Sequence, residues 1–517
     1  MVGILTEKAS AAANCAKAFG GMSGEYKGTP YRIVSLQGHM YEFISPELQV
    51  PKAKMAQYKS WELANLPWDE RDFSWKREPS KGSNILSILA NVKNTLSTCD
   101  EIVIATDDDP TGEGDLLAWE VIEELKLKPN KITRMLFDGE SVSVLQKAFD
   151  KRHVTTIDTD PNYKKAYYRV KFDTLSMQFT RIATKLGDGK SVIREGRLKS
   201  TMVLFVGDAL KALNAYKKVP FYQNRFIDEN KNLFINKDEP VFTNKAEVPN
   251  KYEPSAVVVD SSTNKRTIPP KLFDIMTLGA ILAPKGATSR EVLDTYQAMY
   301  NDQVLSYPRT EDLFITQEQF DELSPLVDSI ARVVGVDTSL LTHRTSRSSH
   351  IKAGLSHGAN RPGVNVPQSL ESLNSYGKFA PLIYKTLALS YLAMLGEDYE
   401  YISQAGHIEK YPAFVGTSAV PVSQGYRAIL ASVDMDEDED TDDSGLGLGK
   451  MGSPMIFEGF PKRPPVPTVS WLKKQLEHYN IGSGATRLST YGEITRPQSA
   501  TNKYPLLIDK KGKITMT

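Results

Sequence analysis

The sequence predicts a multidomain protein of mixed α/β and α+β class. Its 517 residues are too many for one ordinary core. Near the amino terminus, short apolar strands lead directly into helices, as they do in an open, Rossmann-like parallel sheet. Further along, a β-rich segment, a mainly helical segment and a second β-rich segment follow one another. This order indicates a helical domain inserted into a β domain, with the chain entering and leaving through two adjacent strands.

The first strand-to-helix junction lies at the amino terminus. Val2 to Thr6 is an apolar strand, and the alanine-rich segment from Ala9 to Phe19 is a helix. Glu7 and Lys8 stand between them. Taken alone, they would be an ordinary surface pair.

The second junction is rich in acids. Glu101 to Thr106 is a strand and Glu113 to Leu125 a helix, joined by a loop in which Asp107 and Asp109 can direct oxygens at one hard cation such as Mg²⁺. Gly112 permits a tight turn, and the helix dipole favours the carboxylate of Glu113. A generic pair of acids in such a loop is more often a solvated cap. Because ligands bind at the carboxyl edge of a parallel sheet, we expect Glu7 and Lys8 to lie near Asp107 and Asp109.

The remaining segments are assigned by pattern. Residues 31–45 form a strand followed by Gly38 and His39, where a lone histidine is more often a structural hydrogen-bonding group than a ligand. Asn214 to Ala256 is β-rich, Pro269 to Glu400 mainly helical, Tyr401 to Ser432 strand-like, Asp434 to Gly449 an acidic mobile loop, and Val469 to His478 a helix.

Composition limits the function classes. Basic and acidic residues number 63 each, so any nucleic-acid surface must be a local patch. The two cysteines exclude a four-cysteine zinc ribbon in this sequence and indicate a reducing compartment. There is no signal-peptide pattern and no apolar run of membrane-spanning length. We expect a soluble cytoplasmic protein with no membrane partner, associated with the nucleoid if its source is bacterial or phage.

One such patch is the basic stretch from Lys164 to Lys199, in which aromatic residues are interleaved. Cations can contact phosphates and rings can stack on bases, although a solvated helix face fits the charge equally well. Within it, a Walker A loop would require glycine where Thr184 stands, so no nucleotide cofactor is expected.

The segment Leu305 to Thr310 (LSYPRT) contains a candidate nucleophile. Proline after Tyr307 restricts the backbone, and Arg309 could hold the oxygens of a phosphodiester that reached the phenol. Tyr307 is one of 23 tyrosines, so this pattern alone does not separate it from a core or surface residue.

Ordered motifs along nearly the whole chain resemble those of type IA DNA topoisomerases. Asp107 to Glu113 is similar to the acidic signature of their Toprim domain, and Ser306 to Asp312 (SYPRTED) to their tyrosine motif. The other similar segments are Thr6 to Ser10 (EKPS motif), Gly38-His39 (S-x-GH), Arg169 with Phe172-Asp173 (R-x-x-LD), Gly196 to Ser200 (GRVQS), Pro269 to Tyr300 (the helices leading to the tyrosine), His357 to Pro362 (HEAIRP) and Gly482 to Arg487 (GIG-x-PATR).

The resemblance implies a toroid of four domains. These are a Toprim domain at 1–150, a helical single-strand-binding domain at 151–213 and 462–517, a β-rich arch at 214–267 and 401–461, and a helical domain carrying the tyrosine at 268–400. It implies a monomer that acts on single-stranded regions of DNA.

The resemblance also implies a mechanism. Tyr307 would attack one DNA strand to form a 5′-phosphotyrosyl link, so that negatively supercoiled DNA is relaxed without ATP. Arg309 and Lys8 would stabilise the phosphate, Glu7 would act in proton transfer, and His357 would belong to the same site. Mg²⁺ would be held by Glu7, Asp107, Asp109 and Glu113. DNA contacts would come from Arg169, Asp173, Arg181, Arg197, Lys199, Arg361, Thr486 and Arg487.

Several positions depart from the family pattern. Thr111 replaces a third acid of the acidic cluster, and Gly358 and Asn360 replace the usual Glu and Ile beside His357. Two alternatives therefore stay open: a Toprim primase or nuclease, which leaves the SYPRTED segment unexplained, and a DNA-binding accessory protein that has lost activity.

Overall fold

The computed structural model describes residues 1–108, 111–137, 142–187, 192–308, 310, 312–355, 357–433, 445–482, 484–496 and 505–516. The chain forms two compact units, Met1–Arg197 and Leu198–Thr517. The finer division into four domains stays a prediction. The mobile loop predicted at 434–449 lies outside the described residues as far as position 444.

The first unit is built around a mixed six-stranded sheet. Its strands are β1 (Val2–Thr6), β2 (Ser23–Tyr26), β3 (Thr29–Ser35), β6 (Glu101–Ala105), β7 (Lys131–Arg134) and β8 (His153–Val154). A separate two-stranded antiparallel sheet pairs β4 (Tyr41–Phe43) with β5 (Arg77–Pro79). The sheet order is β2-β3-β1-β6-β7-β8. The four inner strands run parallel and the two edge strands antiparallel.

Helices cover both faces of this sheet. The helices of this unit are α1 (Ala9–Phe19), α2 (Pro46–Gln49), α3 (Met55–Lys59), α4 (Ile85–Leu96), α5 (Glu113–Glu124), α6 (Val142–Asp150) and α7 (Pro161–Leu186), of which α1, α4, α5 and α6 pack on the sheet. Ile4 and Val103 pack under α1 and α6, whereas Leu5 and Ile104 pack under α4 and α5. Both faces of β1 and β6 are therefore buried, which explains why these strands are apolar throughout. The predicted α/β fold of this segment is confirmed.

The register of the sheet sets the position of the two junctions. β1 and β6 are parallel neighbours, with Thr6 opposite Ala105. The loops that follow them consequently leave the sheet side by side at its carboxyl edge.

The second unit combines a six-stranded sheet with a helical core. Its strands are β9 (Phe221–Asp228), β10 (Leu233–Phe234), β11 (Ser255–Thr267), β12 (Tyr399–Ile408), β13 (Tyr411–Ser423), β14 (Met451–Gly459), β15 (Leu507–Lys510) and β16 (Lys513–Met516); its helices are α8 (Arg197–Ala215), α9 (Ile275–Leu282), α10 (Ser289–Asn301), α11 (Gln317–Leu323), α12 (Val327–Val334), α13 (Ala380–Ala393), α14 (Tyr426–Leu430), α15 (Val469–His478) and α16 (Gly484–Ile494). The sheet order is β10-β9-β14-β11-β12-β13, and β15 pairs with β16.

The helices α9 to α13 are inserted between two paired strands. β11 and β12 run antiparallel from Val257 opposite Ile408 to Thr267 opposite Tyr399, so the chain leaves and re-enters the sheet at the same end. This confirms the predicted insertion through adjacent strands.

The prediction of strand from Tyr401 to Ser432 is wrong at its end, where α14 forms. Tyr426, Ile429 and Leu430 are buried in the helical core of this unit, and the helical spacing places all three on one face. Across the described part of the chain, no helix is long and apolar enough to cross a bilayer.

Candidate functional site

The carboxyl edge of the first sheet brings together side chains from the two junctions. Lys8 Nζ donates a hydrogen bond to Asp107 Oδ2 at 3.0 Å. The predicted proximity of the two loops is therefore confirmed. Asp109, the second predicted metal ligand of this loop, lies outside the described residues.

Two glycines allow the ends of the loop at 107–112, called the acidic loop from here on, to pack closely. Gly112 has φ +75°, and a Cβ there would lie 2.2 Å from the carbonyl oxygen of Asn162 at the start of α7. A Cβ on Gly114 would lie 2.2 Å from the carbonyl oxygen of Asp107. Gly112 is thus required both by backbone conformation and by space, and the predicted start of the helix at Glu113 is confirmed.

Arg134 supports the main chain at the start of the acidic loop. The sequence alone did not indicate this role. Its guanidinium donates to the carbonyl oxygens of Thr106 at 2.8 Å and Asp107 at 3.2 Å, and it pairs with Asp115 at 2.7 Å. Arg134 and Asp115 are both buried. Nothing in the local pattern KITR marks this arginine, because its partners lie on other elements.

A second cluster joins Glu113 to His39 and Arg169. His39 Nε2 lies 3.0 Å from Glu113 Oε1, and Arg169 Nη2 donates to Glu113 Oε2 at 2.9 Å. The hydrogen bond with His39, aided by Arg169, lowers the pKa of Glu113 to about 2. The same bond raises the pKa of His39. His39 is therefore a hydrogen-bonding partner, as its isolated position predicted.

Glu7 is in a different electrostatic state. Burial raises the pKa of Glu7, and the nearby charge of Asp107 raises it further. A carboxyl with a raised pKa keeps its proton to higher pH, so it is able to donate that proton to a reacting oxygen.

The donor chemistry of this edge fits a hard divalent cation. Glu7 and Asp107 are close enough for their charges to interact, and carboxylate oxygen is the ligand that Mg²⁺ prefers. A cation would relieve the repulsion that raises the pKa of Glu7. Among the residues that the structure describes, no group of three histidines, cysteines or acids is placed to hold an ion.

The second unit presents Tyr307 between two other rings. The ring of His357 lies 4.2 Å from that of Tyr307 between centroids, tilted by 33°, and Tyr300 meets Tyr307 edge-on at 5.5 Å. Desolvation lowers the pKa of His357, with Asp312 opposing the shift, so its ring is neutral at pH 7. Arg309 lies outside the described residues.

The segment 304–308 is held along its length by the segment 360–363. The Ser306 N–H donates to the Arg361 carbonyl at 3.0 Å, and the Arg361 N–H donates to Ser306 Oγ at 3.0 Å. Gly363 donates to the Val304 carbonyl at 2.8 Å, and a Cβ on Gly363 would lie 2.0 Å from the carbonyl oxygen of Gln303. This paired backbone fixes the chain on which Tyr307 stands.

Sequence models of two known families match the two parts of the chain that carry these side chains. The sequence model of the Toprim domain matches residues 2–138, and that of DNA topoisomerase matches residues 158–503. The chain belongs to the type IA DNA topoisomerase family.

Relatives with known names support this membership. DNA topoisomerase 1 of Alkalihalophilus pseudofirmus is 26% identical over 65% of this chain and 50% of its own length. DNA topoisomerase 3 of Pasteurella multocida is 23% identical over 70% of this chain and 60% of its own. This topoisomerase-family chain therefore spans about half of one relative and three fifths of the other.

A solved structure supports the fold. Full-length topoisomerase I from Thermotoga maritima superposes with a TM-score of 0.55 at 17% identity, covering 100% of this chain and 80% of the other. At this identity the match bears on the fold alone.

The remaining candidate DNA-binding residues of this topoisomerase-family chain fall into two groups. Arg169, Asp173, Arg197, Lys199 and Thr486 keep at least part of their surface in solvent. Arg197 pairs with Asp173, and Lys199 lies 3.7 Å from Glu493.

The other three are buried, namely Arg181, Arg361 and Arg487. Arg181 donates to the carbonyl oxygens of Tyr58 and Ser60 and stacks on Trp68. Arg487 donates to the Ile481 carbonyl at 2.8 Å. Arg361 Nη1 donates to the Ala359 carbonyl at 3.3 Å. Burial leaves these three guanidinium groups little surface for a phosphate, and their DNA contacts stay predictions.

Proposed function

We propose that this chain cuts and rejoins one strand of DNA through Tyr307 and thereby relaxes negatively supercoiled DNA. The phenol oxygen loses its proton and forms a bond to the phosphorus, the bond from phosphorus to the 3′ oxygen breaks, and the 3′ oxygen takes up a proton, so that no net proton is gained or lost. The reverse reaction restores the strand. Because the phosphotyrosyl link retains the energy of the broken bond, no nucleotide is consumed.

The proposal rests mainly on the way in which Tyr307 is held. Its backbone is held by the 360–363 segment, and its ring lies against a neutral imidazole. His357 orients the ring without adding charge, while Arg309 would brace the phosphate oxygens.

Residues of the Toprim edge would serve the same reaction. Lys8 would stabilise phosphate charge. Glu7, with its raised pKa, would donate a proton to the 3′ oxygen on cleavage and take it back when the strand is rejoined. Glu7, Asp107 and Asp109 are the residues that would hold Mg²⁺, which when bound supplies positive charge near the DNA phosphates. Glu113 contributes less directly, because both of its oxygens already have partners.

A plasmid relaxation assay tests the proposal. Negatively supercoiled plasmid is incubated with Mg²⁺ or with excess chelator, in the absence of ATP. We expect closed relaxed circles only with Mg²⁺, and we expect Asp107→Asn to slow relaxation at least about tenfold while single-strand binding is retained. Nicked or linear product would indicate a nuclease instead. Plasmid bound without any change of linking number would indicate the accessory protein.

A further inference from the structure

We propose that Asn360 is a positioning residue that holds the backbone of the nucleophile Tyr307 in its reactive place; this rests on the proposed function. The Asn360 amide donates to the Tyr307 carbonyl at 3.0 Å and lies 3.5 Å from the Pro308 carbonyl. One side chain therefore contacts the two peptide groups that flank Pro308, the first of which is the Tyr307–Pro308 peptide.

Asn360 is itself anchored to the helical core. Its N–H donates to the carbonyl of Phe273 at 3.2 Å, and the neighbouring Ala359 N–H donates to the carbonyl of Phe314 at 2.7 Å. Phe273 is part of the buried core of the second unit. The amide thus links the loop carrying Tyr307 to a fixed point.

Stability alone does not account for an asparagine at this position. Asn360 is completely buried, and its Oδ1 has no hydrogen-bond partner among the described residues. A buried acceptor without a partner is unfavourable, and an aliphatic residue of similar size would avoid it. What the aliphatic residue lacks is the donor that the Tyr307 carbonyl uses. The isoleucine usual at this point of the family motif could not make the contact.

The first test compares two buried asparagines of the same unit. Asn360→Leu removes the contact to Tyr307, whereas Asn224→Leu removes a donor to the Pro249 carbonyl at 3.0 Å in the β-rich sheet. Single-turnover cleavage of a labelled oligonucleotide is measured at saturating protein, together with the Kd and the thermal midpoint.

We expect Asn360→Leu to slow cleavage about tenfold to a hundredfold with the Kd unchanged within about twofold, because a displaced nucleophile affects the chemical step. Asn224→Leu should lower the thermal midpoint and keep the cleavage rate. Equal rates in the two variants would overturn the proposal.

A second variant keeps the shape and changes the proton. In Asn360→Asp, a neutral carboxyl can donate to the Tyr307 carbonyl and an ionised one cannot, and burial raises the pKa of such a carboxyl. The cleavage rate of this variant should fall as pH rises, relative to the wild-type profile. Parallel profiles would count against positioning.

Hydrogen exchange provides a readout that does not depend on activity. Amides in 304–308 should exchange faster in Asn360→Leu than in the wild type, and should be unchanged in Asn224→Leu. If the wild type forms no covalent adduct, the proposed function fails, while the exchange result still decides whether Asn360 holds this segment. Unchanged exchange at 304–308 in Asn360→Leu would overturn the proposal.

Discussion

The proposed chemistry begins at the phenol oxygen of Tyr307. Replacing Tyr307 by Phe removes this atom and keeps the ring that packs against His357 and Tyr300. We expect covalent trapping and relaxation to fall below detection, with the Kd for single strands within about twofold of the wild type. Denaturant quenching on a labelled oligonucleotide measures the adduct, and Tyr300→Phe is the control. A covalent adduct in Tyr307→Phe would assign the nucleophile elsewhere.

The pKa values of His39 and His357 should be shifted in opposite directions. The hydrogen bond to Glu113 raises the pKa of His39 above its ordinary value of 6.5, whereas desolvation lowers that of His357. Protonated His39 therefore stabilises the fold below pH 6.5, and this contribution is lost as pH rises through its folded pKa. For His357 the sign is reversed: stability increases as pH rises from its folded pKa towards 6.5.

Histidine ring resonances followed by NMR against pH check this prediction. Glu113→Gln replaces the carboxylate that raises the pKa of His39 by an uncharged amide, so the His39 midpoint should move down. The His357 midpoint should stay where it is. An unchanged His39 midpoint in Glu113→Gln would contradict the assigned cause.

The sequence was sufficient for residues whose role depends on neighbours in the chain. Gly112, Glu113 and the position of Lys8 beside Asp107 follow from strand-to-helix junctions in one sheet. Arg134 and Asn360 could not be found in this way, because their partners are main-chain atoms 27 and 53 residues away. Such contacts have no local pattern.

At the scale of elements, apolar strands with both faces covered were predictable, and so was the insertion between β11 and β12. The strands are continuous apolar runs that lead directly into helices of 11 and 12 residues, and the insertion is a contrast between long β-rich and helical segments. The helix α14 was not predictable, because five residues of helix are held by burial of three side chains and not by a repeated pattern. Short elements depend on the core that receives them.

The turn at Gly112 allows a matched element-scale test. Gly112 and Gly28 have nearly equal positive φ, +75° and +77°, but a Cβ meets Asn162 at the first and nothing within 4 Å at the second. Alanine at Gly28 should destabilise the fold by about 1–2 kcal/mol through backbone conformation alone. Alanine at Gly112 should destabilise it further and displace the acidic loop, lowering Mg²⁺-dependent relaxation. Urea unfolding and the relaxation assay measure the two effects; equal losses of stability would exclude the packing argument.

For the whole molecule, charge is balanced and locally paired. Acidic and basic residues are equal in number. Many cations of the basic stretch already contact carboxylates, including Arg169 with Glu113, Lys171 with Glu70 and Lys185 with Glu62. A DNA phosphate must therefore compete with these carboxylates, and no net field holds the protein near DNA.

We accordingly expect relaxation to be distributive and sensitive to salt. Each phosphate neutralised on a single strand contributes about −0.7 to the slope of log affinity against log salt concentration. With few contacts to hold it, the protein should release plasmid between cycles, which appears on a gel as a ladder of intermediates under excess plasmid. Positively supercoiled plasmid, which offers little unpaired DNA, is the control and should react poorly. The contrary result would be that, at high salt, single plasmids pass directly to the relaxed form while others stay untouched. That result would require a further DNA-holding surface outside the 164–199 stretch, and charge balance would not govern the cycle.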